Sequence, residues 1–192
     1  MKYCLYIFMV CCFGVGITAR KGYAEGIVEI GGVYEMPKGS VDFANAWGNA
    51  LGMKMRLATR GNATDNLGLT FCYCRYPAAD GGGRYDTTMM SVGLSQKSTF
   101  NDDAKLRPYV KGEAGVMQGL DVWETTHDPV TGSALHTQIQ GGHTDSYLSG
   151  HMGLVLDMTA QYQLFAETGF ILTLQGERKK VVPFQVGFAF HP

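Results

Sequence analysis

The stretch Val182-Pro183-Phe184-Gln185-Val186-Gly187-Phe188-Ala189-Phe190 decides the fold, because its side chains alternate strictly in character. Every even position is apolar and three are phenylalanine, whereas every odd position is small, polar or proline. Successive side chains of a β-strand point to opposite faces, so this pattern predicts a strand with different environments on its two faces.

Seven further segments alternate in the same way, and none of them has a helical period. They are Gly26–Met36, Trp47–Thr59, Asn66–Tyr76, Arg84–Lys97, Leu106–Leu120, Tyr147–Asp157 and Gln161–Leu174. Short, turn-like connections at 61–65, 101–103 and 158–160 alternate with longer ones, of which Asp121–Ser146 is the longest. This arrangement predicts an all-β fold, an eight-stranded antiparallel up-and-down transmembrane β-barrel with periplasmic turns and external loops.

Alternation alone does not say which face lines the interior. In a membrane barrel the apolar face meets lipid, whereas in a soluble lipocalin-like barrel it lines a ligand cavity. The polar face carries a glycine on every strand, which a narrow, crowded lumen needs and a water-facing sheet does not. The membrane barrel is therefore favoured, and a soluble extracytoplasmic barrel that binds an apolar ligand is the alternative. The glycines are Gly31, Gly48, Gly52, Gly68, Gly93, Gly115, Gly153, Gly169 and Gly187.

Charged residues of both signs also lie on the polar face. A charge inside a barrel needs a partner, and we expect Lys54 and Arg56 to pair across the interior with glutamates, closing the lumen and fixing the strand register. The predicted interior ionic network comprises Glu29, Glu35, Lys54, Arg56, Arg107, Lys111, Glu113 and Glu167. Aromatic residues near the predicted strand ends suit interfacial girdles; they are Tyr34, Trp47, Tyr73, Tyr85 and Trp123.

The chain resembles the OmpA/OmpX-like outer-membrane β-barrel superfamily from Glu25 to Phe190. The resemblance is carried by Leu106–Val116, by Leu164–Phe170 and by the C-terminal strand. It implies a small eight-stranded barrel, contact with outer-membrane lipid, and insertion by the barrel assembly machinery, which reads an aromatic C-terminal strand. Family members usually end on the aromatic residue, whereas this chain continues with His191-Pro192. The implied assembly signal is Phe184, Val186, Phe188 and Phe190.

The N-terminus predicts a cleaved signal peptide over residues 1–24, followed by one barrel domain over residues 25–192. Lys2 precedes the apolar region Cys4–Ile17, which is short for a membrane span, and Gly22-Tyr23-Ala24 offers a small-residue cleavage site. A retained anchor and lipoprotein processing at Cys11 or Cys12 are the alternatives. We expect the barrel in the outer membrane, with both of its termini periplasmic.

The formal net charge of −1 gives no electrostatic footprint for nucleic acid. Ser149, His151 and Asp157 share the interior face, where they could not reach a lipid, so we expect no catalytic site; a lipid-modifying enzyme is the alternative. No further ligands are visible near Cys72 and Cys74, so we expect packed interior thiols and neither a metal nor a cofactor. The expected function is non-enzymatic, either envelope structure or surface interaction through the exposed loops, whose partner the sequence does not identify.

Overall fold

The computed structural model describes residues 26–39, 47–60, 65–77, 86–101, 103–119, 122–127, 134–140, 142–175 and 179–191, so the predicted signal peptide lies outside the described residues. The strands are β1 (Gly26–Gly39), β2 (Ala50–Arg60), β3 (Asp65–Tyr76), β4 (Thr87–Thr99), β5 (Leu106–Gly119), β6 (Val122–His127), β7 (Ala134–Gln140), β8 (His143–Asp157), β9 (Tyr162–Thr173) and β10 (Lys179–Phe190). Eight of them close into an antiparallel barrel in the order β1-β10-β9-β8-β5-β4-β3-β2, which confirms the predicted fold class. Within the described residues, no helix is long and apolar enough to cross a membrane.

The strands β6 and β7 form a separate two-stranded sheet, inserted between the neighbouring barrel strands β5 and β8. Treating Asp121–Ser146 as a single loop was therefore wrong, and β8 already begins at His143. The segment is polar, which suggested a loop, but Val122-Trp123-Glu124-Thr125-Thr126 is rich in β-branched and aromatic residues that favour strands. An alternating apolar face marks only strands that line a core or a membrane, so a hairpin outside the barrel lacks that signal.

The two ends of the barrel differ in their connections. At the turn end, residues 61–64, 100–105 and 158–161 join consecutive strands. The opposite, loop end has the longer connections 40–49 and 77–86, the segment between β5 and β8, and the short connection 174–178. Gly26 and Phe190 both lie at the turn end, because β1 pairs with β10 from Val28 opposite Phe190. In the turn after β4, Asn101 has a φ angle of 62°, a left-handed conformation that asparagine adopts more readily than most residues.

The inward side chains form three layers along the barrel. Along β5, Tyr109 belongs to an apolar cluster near the turn end, Lys111 and Glu113 follow in the middle, and Met117 belongs to a second apolar cluster near the loop end. The turn-end cluster contains Ile27, Ala58, Tyr109, Val155, Phe165 and Ala189. The loop-end cluster contains Val33, Trp47, Ala50, Cys74, Tyr76, Met89, Met117, Tyr147, Ile171 and Val181.

Large apolar side chains face outward on all eight barrel strands. Among the described residues, 23 large hydrophobic side chains are exposed, and the most exposed include Leu51 at 69%, Met152 at 66% and Phe188 at 66%. Large apolar side chains thus cover the outside of the barrel and the buried charged side chains lie in the lumen, which is the reverse of a water-soluble barrel.

Glycine on the inward face allows neighbouring strands and ring systems to approach closely. A Cβ atom added at Gly187 would lie 2.6 Å from the Cα of Gly31 and 2.8 Å from Cζ of Phe165, closer than real Cβ contacts allow. By contrast, a Cβ at Gly32 or Gly112, on the outward face, would meet nothing within 4 Å. The small inward residues are therefore needed for space.

Candidate functional site in the barrel lumen

Glu113 on β5 receives donors from three other strands in the centre of the lumen. The ammonium of Lys54 on β2 lies 2.7 Å from Oε2 of Glu113, and the hydroxyl of Thr70 on β3 donates to Oε1 at 2.7 Å. The hydroxyl of Tyr147 on β8 also donates to Oε1. A buried carboxylate needs such charge-assisted hydrogen bonds to offset the loss of water.

Glu167 on β9 is the second anionic centre. Its Oε1 atom forms an ion pair with the ammonium of Lys111 on β5, and its Oε2 atom accepts a hydrogen bond of 2.7 Å from the hydroxyl of Tyr109. Nδ1 of His151 on β8 lies 3.5 Å from Oε1. These contacts join β5 and β8 to β9 inside the barrel.

Glu29 on β1 meets two cations. The ammonium of Lys97 on β4 lies 2.7 Å from Oε1, and Nη1 of Arg56 lies 3.5 Å from the same atom. Arg56 also donates from Nε to the hydroxyl of Ser95 at 2.7 Å and from Nη2 to the backbone oxygen of Asn66 at 3.1 Å. Lys97 was not predicted in the network, although it continues the inward-facing positions of β4.

Two residues of the predicted network lie elsewhere. Arg107, near the turn end, pairs with Asp157 at 2.6 Å, and the side chain of Asp157 is 32% exposed. Glu35 lies among the residues near the loop end and accepts a hydrogen bond from the hydroxyl of Tyr76. Lys97, which was not predicted, belongs to the central group of ion pairs, whereas Arg107 does not. The ionic layer, as defined by its contacts, consists of Glu29, Lys54, Arg56, Lys97, Lys111, Glu113 and Glu167.

The buried charges of the described residues balance. Five are cationic and five are anionic when a further pair near the loop end is included, in which the ammonium of Lys179 lies 2.8 Å from Oδ2 of Asp145. Charges removed from water are tolerated only when paired and hydrogen-bonded. The lumen is thus lined by groups that bind one another. The buried cations are Lys54, Arg56, Lys97, Lys111 and Lys179, and the buried anions are Glu29, Glu35, Glu113, Asp145 and Glu167.

Ser149 and His151 do contact each other, with 3.0 Å between Oγ and Nε2. Both are buried and face the lumen, away from the apolar outer surface. Asp157 does not complete a triad with them, because it binds Arg107 and accepts from the amide of Gln163 at 2.8 Å. A serine and a histidine in contact are one part of a nucleophilic site, which also needs room for a substrate next to the hydroxyl.

The structure describes the side chains of three of the five residues of the predicted aromatic girdle. Tyr34 and Tyr73 are exposed on the outside of the barrel, at 36% and 48%. Trp47 differs from the prediction, because it is 6% exposed and packs in the loop-end cluster. It precedes β2, which starts at Ala50, so strand alternation does not fix its direction. Tyr85 and the side chain of Trp123 lie outside the described residues.

An aromatic pair at the turn end was not predicted as part of a girdle. The rings of Tyr162 on β9 and Phe190 on β10 lie 5.1 Å apart between centroids. Tyr162 is exposed and stands first in its strand on the apolar face, a position that the sequence pattern already marks. On β10, Phe184, Val186 and Phe188 are exposed on the outer face, and Phe190 is partly exposed.

No protein-family model matches the chain. No curated protein matches it either. Solved structures do match. Neisserial surface protein A is 17% identical with a TM-score of 0.59, over 90% of this chain and 100% of that chain. The outer membrane protein OprG from Pseudomonas aeruginosa is 9% identical with a TM-score of 0.60, over 88% and 95%.

Ail, the attachment invasion locus protein of Yersinia pestis, is 15% identical with a TM-score of 0.52, over 88% of this chain and 99% of that chain. At these identities the likeness is one of fold. The fold that the sequence resemblance implied is confirmed: the chain has the architecture of the small eight-stranded outer-membrane β-barrels.

Proposed function

We propose that this chain, which has the fold of the small outer-membrane barrels, is a non-enzymatic bacterial outer-membrane protein whose lumen is filled by its own side chains. Its role would be envelope structure or surface interaction through the segments at the loop end. The observation that carries the proposal is the division of the strands into an apolar outside and an ion-paired inside.

The outer surface supports insertion in a membrane. Monomeric soluble proteins rarely expose continuous apolar patches larger than about 300–600 Å², whereas here all eight barrel strands expose large hydrophobic side chains. In a bilayer these side chains would contact lipid instead of water. The closed ladder of backbone hydrogen bonds leaves no unpaired strand edge. A soluble barrel that binds an apolar ligand would need the same residues inside, so that alternative is disfavoured.

The lumen supports a plugged barrel. The ionic layer lies between two apolar clusters, and its carboxylates are bound by side chains from several strands. An ion that entered the lumen would have to displace these partners. The proposal is therefore a barrel that anchors surface segments and does not conduct.

The ends of the barrel suggest its orientation. Outer-membrane barrels have short periplasmic turns and longer external loops. With the turn end periplasmic, Gly26 and Phe190 would face the periplasm and the β6–β7 hairpin would lie outside the cell. The outward aromatic residues of β10 would then be available to the barrel assembly machinery before β10 closes against β1.

Cell fractionation with a heat-modifiability gel tests this function. Folded membrane barrels resist SDS until they are boiled, so we expect the protein in the outer-membrane fraction and a faster-migrating band in the unheated sample. The boiled sample is the internal control. Recovery in the periplasmic fraction without detergent, with one band at both temperatures, would contradict the proposal.

A further inference from the structure

Two thiols and a carboxylate meet inside the barrel near the loop end. Cys72 and Cys74 lie on the inward face of β3, and their sulfur atoms are 3.5 Å apart. Glu35 on β1 joins them, so that one ligand atom from each of the three residues lies within 4.8 Å of the other two. Sequence spacing alone could not show this, because Glu35 comes from a different strand.

The surroundings leave space at the thiols. These residues line a cavity of about 10 Å³, roughly the volume that one water molecule or a single ion requires. Beside Cys74, Gly52 has no side chain, and a Cβ there would lie 2.5 Å from the sulfur of Cys74. Met89 and Met117 also line this cavity, and each carries a thioether sulfur.

Glu35 stands apart from the other buried glutamates. Within the described residues, Glu29, Glu113 and Glu167 each have a lysine or arginine nitrogen within 4.0 Å, and Glu35 has none. Its carboxylate accepts a hydrogen bond from Tyr76, which fixes its orientation. A buried carboxylate is stabilised by a nearby cation, and a metal ion between Glu35 and the thiols would supply one.

We propose that Cys72, Cys74 and Glu35 form a binding site for one thiophilic metal ion, of the class of Cu(I) or Zn(II), inside the lumen. Thiolate and thioether sulfur select such ions over Mg²⁺ or Ca²⁺. In a tetrahedral site with metal–sulfur bonds of about 2.3 Å, two sulfur ligands lie roughly 3.8 Å apart. The observed separation of 3.5 Å is close to that value, whereas a disulfide requires about 2.05 Å.

Metal titration of the full-length protein, purified in detergent without chelators and reduced, tests the site. Cu(I) and Zn(II) are each titrated against a chromophoric competitor, with Mg²⁺ as the hard-ion comparison. We expect saturable binding of one equivalent of at least one thiophilic ion, accompanied by an ultraviolet thiolate-to-metal band. We expect no competition from Mg²⁺.

Variants locate the ion. Cys72→Ser/Cys74→Ser should lose the saturable equivalent, and Glu35→Gln should bind more weakly. Cys4, Cys11 and Cys12 remain in the double variant, so any binding there persists and is subtracted. Met53→Leu, on the outside of the barrel at 59% exposure, should bind like the unmodified chain, whereas Met117→Leu reports on the cavity wall. The unheated gel band shows that each variant folds.

Three results would overturn the site. The first is the absence of saturable binding by both ions, and the second is unchanged binding in the folded Cys72→Ser/Cys74→Ser variant. The third is a mass lower by two hydrogen atoms at Cys72 and Cys74 in protein isolated from membranes. That loss would show a disulfide in place of a metal-binding thiol pair.

Discussion

Lys97 on β4 reaches across the lumen to Glu29 on β1, with 2.7 Å between Nζ and Oε1, although β2 and β3 separate the two strands in the barrel wall. The same ammonium lies 4.1 Å from the ring centroid of Tyr109 on β5. One buried cation thus ties three strands together inside the barrel. Replacing Lys97 therefore tests the contribution of the cross-lumen ion pairs to stability.

Replacing Lys97 with methionine should destabilise the barrel strongly. The substitution keeps an unbranched apolar chain but leaves Glu29 with Arg56 as its only cationic partner among the described residues. Removing one partner of a buried ion pair costs about 3–5 kcal/mol. The free energy of unfolding, measured by urea titration in phospholipid vesicles, should fall by an amount of this order.

Lys105→Met is the matched control, because Lys105 is exposed in the turn after β4. Exposed substitutions usually change stability by no more than about 0.5 kcal/mol. If both variants unfold at the same urea concentration, the contact between Lys97 and Glu29 does not contribute to the stability of the lumen.

Gly187→Ala should impair closure of the barrel. The added methyl group would collide with the Cα of Gly31 on the strand that closes against β10. Overpacking of this kind costs about 1–3 kcal/mol. The yield of the heat-modifiable band after refolding measures the effect, and Gly32→Ala, next in sequence to Gly31 but facing open space, should refold normally. Equal yields for the two variants would contradict the steric account.

Phe184→Lys tests whether the outer face meets lipid. Phe184 is 48% exposed near the middle of β10, and a lysine near the bilayer midplane costs about 2–4 kcal/mol. We expect the free energy of unfolding in vesicles to fall by this amount, while Phe184→Leu leaves it nearly unchanged. A soluble barrel would instead gain solubility from the lysine and keep its stability.

Trp47 should be shielded from lipid, because it packs inside the barrel. In a Trp123→Phe variant it is the sole tryptophan of the chain. Its fluorescence should be quenched little by brominated lipids. A tryptophan placed at Tyr73 on the outer face, with both native tryptophans replaced, is the comparison and should be quenched strongly. Strong quenching of Trp47 would show that it contacts lipid, as the girdle prediction requires, and would contradict its packing inside the barrel.

Residue alternation predicted the barrel and the direction of most side chains, because a strand allows only two directions. It did not predict the pairing inside the lumen. The height at which a side chain meets its partner depends on the stagger between strands, which composition does not reveal. Arg107 and Lys97 both face inward, yet Arg107 binds Asp157 near the turn end and Lys97 binds Glu29 in the ionic layer.

Other differences arise where alternation stops. Trp47 lies before the first residue of β2, so its apolar character was taken for an outward position that the irregular backbone does not impose. The β6–β7 hairpin forms a sheet separate from the barrel, and its sequence has no alternating apolar pattern to mark it. Glu35 was predicted in the ionic network, and only the fold shows that it lies beside Cys72 and Cys74.

Single-channel recording tests the central claim most directly, namely that a membrane-inserted barrel is sealed by its own side chains. Protein eluted from the unheated, SDS-resistant gel band is fused into planar bilayers, so that only folded barrels are recorded. We predict insertion without steady conductance, and brief openings in Lys97→Met, where the ionic layer has lost a cross-lumen tie. A large, steady conductance of the unmodified chain would contradict the account.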